Sequence, residues 1–304
     1  MADTTTLTQL SDSLADAVER AGASTVTVNA RRRFGASGLI WSADGVIVTA
    51  DHVVERDEKL TVTLPDGSDL PATIVGRDPG SDIAVLRVAK TGLTPIAHAG
   101  EARVGHMALA VGRPGEGGPM ASLGVVSAIG GAWRSSRGAT IEGYLRSDTT
   151  FYPGFSGGPL VNGAGAVLGL NSSRLGRGAG LTIPIAAVST IVEMILKGGH
   201  VKRGYLGIGS QAVRLPAAAV AKVGGQETGL LVVGVEPGSP ADTAGLLLGD
   251  ILVRFGETVL VDTDDLHSAL GPASVGKSVA AGILRGGEPK DINVTVGERK
   301  AGGS

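Results

Sequence analysis

The sequence predicts a mainly β protein in which an antiparallel barrel or sandwich is followed by a smaller α+β unit. Between Ser24 and Pro184, short Val, Ile, Leu and Thr runs recur, each broken by Gly, Pro, Asp or Asn. That is the punctuation of many short strands joined by turns. Glycine supplies 49 of the 304 residues, which suits the tight corners and bulges of such a sheet. Beyond Gly198 the pattern changes and helical stretches appear among the strands.

In order, Leu7, Leu10, Leu14, Ala17, Val18 and Ala21 recur at three- and four-residue steps with Asp12, Asp16, Glu19 and Arg20 between them. This predicts one amphipathic helix ending near Gly22, able to pack on its own domain or on a neighbouring subunit. Strands are expected at 25–29, 38–41, 46–49, 59–64, 72–77, 84–88, 107–111, 124–129, 144–147 and 166–171. A helix is expected at 185–196, closed by Lys197 and Gly198-Gly199. The Lys-Gly-Gly-His stretch there reads as an interdomain linker. After it come strands at 229–235, 251–255, 278–284 and 291–296, with helices at 240–244 and 263–270. The expected organisation is an N-terminal helix over 1–23, a first domain over 24–197, a linker over 198–203, a second domain over 204–298 and a disordered tail over 299–304.

Composition narrows the function classes. Lys and Arg number 27 against 29 Asp and Glu, a formal net charge of −2, so nothing electrostatic points to nucleic acid or an anionic membrane as partner. The run Arg31-Arg32-Arg33 is too short to change that and reads as a solvated strand end. With no cysteine, disulfides, thiolate metal sites and cysteine nucleophiles are excluded together. The first 23 residues are polar and lack the apolar stretch of a signal peptide or membrane span. As written the chain reads as cytoplasmic, and as periplasmic or otherwise extracytoplasmic if a leader has been removed.

Three short contexts carry chemistry: Thr49-Ala50-Asp51-His52-Val53-Val54, Ser81-Asp82-Ile83-Ala84-Val85-Leu86 and Gly154-Phe155-Ser156-Gly157-Gly158-Pro159-Leu160. A hydroxyl is a weak nucleophile at neutral pH and needs an imidazole to take its proton and a carboxylate to hold that imidazole. In chain order the three sites read His, Asp, Ser, the order of the chymotrypsin-type double barrel. The glycines around Ser156 leave room for two backbone N–H groups to face the oxygen that becomes negative on attack. A lone His at a strand end, or an Asp opening a strand, is ordinarily structural; the joint occurrence of all three is what points to a catalytic triad.

These strings, with Gly124-Val-Val-Ser-Ala-Ile-Gly130, Asn171 and Ile183-Pro184, closely resemble the HtrA (Deg) serine proteases. The resemblance continues through Arg203-Gly204-Tyr205-Leu206-Gly207-Ile208, Pro237-Gly238-Ser239-Pro240-Ala241 and Ala244-Gly245-Leu246 to Gly249-Asp250-Ile251, which look like that family's PDZ module. It implies a chymotrypsin-like double six-stranded β-barrel followed by an α+β PDZ domain. It also implies His52 as general base, Asp82 as its orienter, Ser156 as nucleophile and the Gly154 and Ser156 N–H groups as oxyanion hole. The PDZ loop Tyr205, Leu206, Gly207 and Ile208 would meet peptide C-termini by strand addition. Implied partners are unfolded polypeptides and, through the N-terminal segment, further copies of the chain in a homotrimer or larger assembly. The implied activity is ATP-independent endoproteolysis in protein quality control, without metal or cofactor. The rival reading is a peptide-binding adaptor or chaperone on the same scaffold.

One departure stands out. The family usually has Asn immediately before the nucleophile, whereas this chain has Phe155. A phenyl ring cannot brace the turn by hydrogen bonding, so the turn is expected either to rest on packing of Phe155 in an apolar recess or to wait in an inactive shape until ordered. The position that selects basic residues in trypsin-like enzymes is Thr150, which carries no charge. By resemblance the pocket walls are Leu170, Asn171, Ser172 and Ser173, with Leu181, Thr182 and Ile183 opposite, implying small to medium aliphatic residues at the cleavage position. Arg174 and Arg177 are expected on a mobile, solvated loop beside it. Two motifs are discounted: Gly271 to Ser278 matches a phosphate loop but enters a strand instead of a helix, and Gly207 to Ala212 mimics a dinucleotide fingerprint with no helix after it.

Overall fold

The computed structural model describes residues 2–298 apart from 32–33, 57, 116, 136–138, 177–179 and 203. The expected tail at 299–304, and the expectations for Arg32, Arg33, Arg177 and Arg203, lie outside the described residues. The chain divides into two compact units, 1–201 and 202–304.

The first unit opens with helix α1 (Ala2–Gly22), whose small residues Ala17 and Ala21 are fully buried and let the helix approach β-structure closely. Strands β1 (Thr25–Asn29), β2 (Ala36–Ile40), β3 (Val46–Ala50), β4 (Thr61–Thr63), β5 (Asp69–Asp78) and β6 (Ile83–Val88) close into one antiparallel barrel in the order β1-β2-β3-β6-β5-β4. A second follows from β7 (Met107–Gly112) and β8 (Met120–Gly130), a short ribbon β9 (Trp133–Arg134) and β10 (Thr140–Ile141), and then β11 (Tyr144–Ser147), β12 (Pro159–Asn162), β13 (Val167–Ser172) and β14 (Leu181–Pro184). Its closed order is β11-β14-β13-β12-β7-β8. Closure pairs every barrel strand on both sides.

Strands β12 and β14 were not legible in the sequence. Each has four residues. Strand β12 opens on Pro159, which lacks an N–H and is tolerated only at a strand's first residue or at an edge. Strand β14 stops at Pro184, the residue that caps helix α2 (Ile185–Gly198). Helix α2 buries Ala187, Val188, Val192 and Ile195 and packs against β5 and β6 of the first barrel and β13 and β14 of the second. It ends with Gly199 in the left-handed region at φ 74°. One apolar cluster runs through both barrels, joining Val48 and Val85 of the first to Val111, Val161 and Ile183 of the second. The seam between the barrels is therefore core.

The second unit is a sheet in the order β16-β17-β18-β20-β21. Short strands β15 (Gly204–Tyr205) and β22 (Gly297–Glu298) pair with each other, and β19 (Thr258–Val259) pairs with β18. The main strands are β16 (Ile208–Arg214), β17 (Thr228–Val235), β18 (Ile251–Phe255), β20 (Ser278–Arg285) and β21 (Glu288–Thr295), with helices α3 (Ala217–Val220), α4 (Pro240–Thr243) and α5 (Thr263–Ala269). Helix α5 starts in a capping box between Asp262 and Asp265. The core gathers Leu230, Leu252, Phe255, Leu266 and Ile283. The discounted motifs behave as turns and strands: residues 207–212 enter β16, and residues 271–278 run through a short 3-10 turn at Pro272–Ser274 into β20 at Ser278.

Candidate active site

Strand pairing brings His52 and Asp82 together. Strands β3 and β6 are antiparallel neighbours with Ala50 opposite Ile83, so the residue leaving β3 lies beside the residue entering β6. The Asp51 N–H donates to the Asp82 carbonyl at 3.0 Å, and a 3-10 turn over Asp51–Val53 then presents His52. Asp82 takes φ 59°, a left-handed conformation that Asp tolerates better than most residues. Its carboxylate accepts the His52 backbone N–H at 2.9 Å and faces the ring Nδ1 with both oxygens, at 3.0 and 2.8 Å. The Ser172 hydroxyl donates to the remaining side of the same carboxylate. The Asp82 side chain is 2% exposed. That geometry assigns the proton to Nδ1 and leaves the Nε2 lone pair as the free base.

Arg77 fixes the turn from behind. Its Nε donates to Asp51 Oδ1 at 2.6 Å, and Nη2 donates to the carbonyls of Asp51 and Val54 at 3.2 and 2.9 Å. Sequence reasoning missed this clamp because Arg77 and Asp51 are 26 positions apart and belong to no motif.

The Ser156 turn shows why its glycines are glycines. The Phe155 N–H donates to the Tyr152 carbonyl at 3.0 Å, with Pro153 and Gly154 at the two central positions and Gly154 at φ 87°, the residue pair that a type II turn requires. A Cβ on Gly154 would lie 2.4 Å from Pro114 Cβ, and one on Gly157 would lie 2.1 Å from the Ser37 carbonyl. Behind Ser156, the Gly157 N–H donates to the Asn171 carbonyl and the Asn171 N–H to the Gly158 carbonyl, tying the turn to β13. Ser37 of β2 joins the turn to the first barrel: its N–H donates to the Ser156 carbonyl and its hydroxyl to the Gly154 carbonyl at 2.7 Å. Among the described residues, the N–H groups of Gly154 and Ser156 have no protein acceptor.

Phe155 is fully buried among Ala110, Val126, Leu145, Leu160 and Leu168 of the second barrel, edge-on to Tyr152 with ring centroids 5.4 Å apart. Its ring also covers Gly112, where any Cβ would come within 2.5 Å of it. The residue that breaks the family pattern is thus a core anchor, matching the packed version of the two expectations.

The residues expected to line a specificity pocket do not all share a face. Leu170 pairs with Ile183, and Ser172 with Leu181, which puts these four on one side of the β13–β14 ribbon. There Leu170, Leu181 and Ile183 join the apolar core. Asn171 pairs with Thr182 on the other side and accepts its hydroxyl at 2.8 Å. Thr150 is exposed and accepts the Ser122 hydroxyl through its carbonyl.

In the second unit, Tyr205, Leu206, Gly207 and Ile208 line a groove of about 440 Å³ together with Leu266 and His267 of α5. Gly207 has φ 78°, and a Cβ there would meet Ser239 Cβ at 2.3 Å. Among the described residues, the Leu206 and Gly207 N–H groups donate to no protein acceptor.

Residues 36–170 match the family description "Trypsin-like peptidase domain", and residues 204–296 match "PDZ domain". A "Probable periplasmic serine protease do/HhoA-like" from Haemophilus influenzae is 34% identical over 271 residues, spanning 86% of this chain and 58% of that protein. The solved structure "HtrA-type protease AlgW with tripeptide" is 30% identical with a TM-score of 0.76, covering 95% of this chain and 98% of that one. The chain belongs to the HtrA (Deg) family. A "Probable periplasmic serine endoprotease DegP-like" from Chlamydia pneumoniae is 33% identical over 269 residues, 86% of this chain and 54% of that protein. The chain therefore spans a little over half the length of these curated relatives. Its fold is that of the family: a chymotrypsin-like double barrel followed by one PDZ domain.

Proposed function

We propose that the chain is a serine endopeptidase that cleaves unfolded polypeptides without ATP, as an extracytoplasmic quality-control enzyme. The observation that carries this reading is the His52–Asp82 pair, with Nδ1 bound by both carboxylate oxygens and Nε2 left on the side of the Ser156 turn. Ser156 Oγ attacks the scissile carbonyl while His52 Nε2 takes its proton, and Asp82 stabilises the imidazolium that forms. The Gly154 and Ser156 N–H groups, free of protein acceptors, receive the oxyanion. His52 then protonates the leaving amine; water, deprotonated by the same imidazole, attacks the acyl carbonyl, and the imidazolium returns that proton to Ser156 Oγ as the acyl–oxygen bond breaks.

The uncharged Thr150 supports a preference for uncharged, small to medium aliphatic residues at the cleaved bond. The groove beside Tyr205–Ile208, with the Leu206 and Gly207 N–H groups available, supports capture of peptide C-termini by strand addition. Leu7 and Leu10 of α1, both exposed, support self-association through the N-terminal helix into a homotrimer or larger assembly. The names of the relatives support an extracytoplasmic compartment.

The test is cleavage of an unfolded, disulfide-free protein by the full chain beside Ser156→Ala, with mass spectrometry of the new ends. Cleavage confined to the parent, with aliphatic residues at the new C-termini, is expected. Cleavage surviving in Ser156→Ala rejects the triad. No cleavage by either protein with a C-terminal peptide present favours the adaptor reading.

A further inference from the structure

The hydrogen-bond partner of Ser156 Oγ is Ser173, not His52. Ser156 Oγ shares a 2.8 Å hydrogen bond with Ser173 Oγ and accepts the Ser173 N–H at 3.1 Å, while Ser173 Oγ lies 3.5 Å from His52 Nε2. Among the described residues, no hydrogen bond joins Ser156 to His52. The serine that ends β13 and the one that follows it thus do different jobs. Ser172 is fully buried and serves Asp82, whereas Ser173 is exposed and serves the nucleophile.

Building on the protease reading above, we propose that Ser173 is a positioning residue that parks the nucleophile. Its hydroxyl holds Ser156 Oγ in a hydrogen bond that replaces one to His52, and attack requires that pair to open. The alternative, a proton relay from Ser156 through Ser173 to His52, fits the distances poorly. The 2.8 Å contact is a full hydrogen bond, whereas 3.5 Å is at the limit where such a bond ceases to count. Because Ser173 is exposed, its hydroxyl exchanges readily with water, so the effect is on population, not a rigid lock. Only the fraction of molecules with Ser156 turned to His52 is competent, and the apparent rate falls by that fraction.

The size of the effect is bounded. One neutral hydrogen bond in water-accessible surroundings shifts such an equilibrium by about fivefold. The Ser173 N–H remains in any alanine variant and continues to compete for Ser156 Oγ. Removing the hydroxyl alone is therefore worth at most about fivefold in rate.

The experiment measures the second-order rate of covalent labelling of the full chain by a fluorophosphonate, in parent, Ser173→Ala, Ser173→Thr and Ser156→Ala. It is paired with kcat and KM on an internally quenched peptide. Ser173→Ala is expected to label about three- to fivefold faster and to raise kcat equally with KM unchanged, and Ser173→Thr, which restores a hydroxyl, is expected to return to the parent rate. A crystal structure of Ser173→Ala is expected to show Ser156 Oγ within hydrogen-bond distance of His52 Nε2. Slower labelling of Ser173→Ala would mean that the hydroxyl carries the proton, and equal rates would mean that it parks nothing; either overturns the proposal and leaves the protease reading standing. Absence of labelling in parent and Ser173→Ala alike removes the protease reading, and the proposal with it.

Discussion

Replacing Phe155 by Ala tests whether packing, in place of hydrogen bonding, holds the oxyanion turn. The ring is fully buried in the second barrel and meets Tyr152 edge-on. Truncating a buried Phe to Ala costs about 3–5 kcal/mol, of which an aromatic edge contact supplies about 0.5–1.5. In a unit of this size each kcal/mol lowers Tm by about 2–4 °C, so the expected drop is about 6–20 °C. Trp41 and Trp133 both lie in the first unit, so a thermal scan by tryptophan fluorescence follows that unit alone. Phe155 also sits between the two N–H donors, and a relaxed turn that misplaces one of them lowers kcat by about 10²–10³. Phe155→Leu keeps most of the volume and is expected to lose only about 1 kcal/mol and little activity. A Tm change below 2 °C or full activity in Phe155→Ala would refute the packing argument.

Three further outcomes follow from the geometry. Asp82→Asn keeps a residue that accepts the left-handed backbone at φ 59° but no longer fixes the imidazole tautomer, so kcat is expected to fall about 10³–10⁴-fold with Tm nearly unchanged. Arg77→Ala leaves the 4%-exposed Asp51 carboxylate unpaired and frees the His52 turn; a loss of about 3 kcal/mol by urea unfolding, with reduced kcat, is expected. In the PDZ domain, burial pushes the Asp250 carboxyl up, but its hydrogen bonds to Arg285 and the Leu247 N–H, with the Arg285 and Lys290 charges, outweigh that and hold it below the ordinary value. A carboxyl depressed on folding stabilises the domain above the unfolded value of about 4 and loses that stabilisation as pH falls through the folded value. Urea midpoints followed by Leu230 and Leu252 methyl resonances should therefore drop in acid for the parent, and Arg285→Leu should lack this acid-dependent loss.

Much of the fold was legible because its signals are local. The runs that form β1, β3, β6, β7 and β11 alternate or cluster apolar residues between turn residues, and α2 declares itself through its periodicity and its closing glycines. Strands β12, β14 and β16 were not legible. The first two are four residues long and bounded by prolines, and β16 carries glycine, serine and glutamine on a largely exposed strand. The triad contexts were readable as strings, whereas their support was not. Ser37, Arg77 and Ser173 reach the site through pairings 17 to 117 positions apart, and no short motif carries that information. The pocket reading illustrates the same limit: Leu170 and Asn171 are adjacent in sequence but face opposite sides of one ribbon.

The central claim, that Ser156 is a nucleophile activated by His52, is tested most directly by mapping the fluorophosphonate adduct on the intact chain by peptide mass spectrometry. A single adduct on the peptide that holds Ser156, formed by the parent and absent from His52→Ala, is the predicted result. An adduct on another serine, or labelling of Ser156 that proceeds equally well without His52, would contradict it.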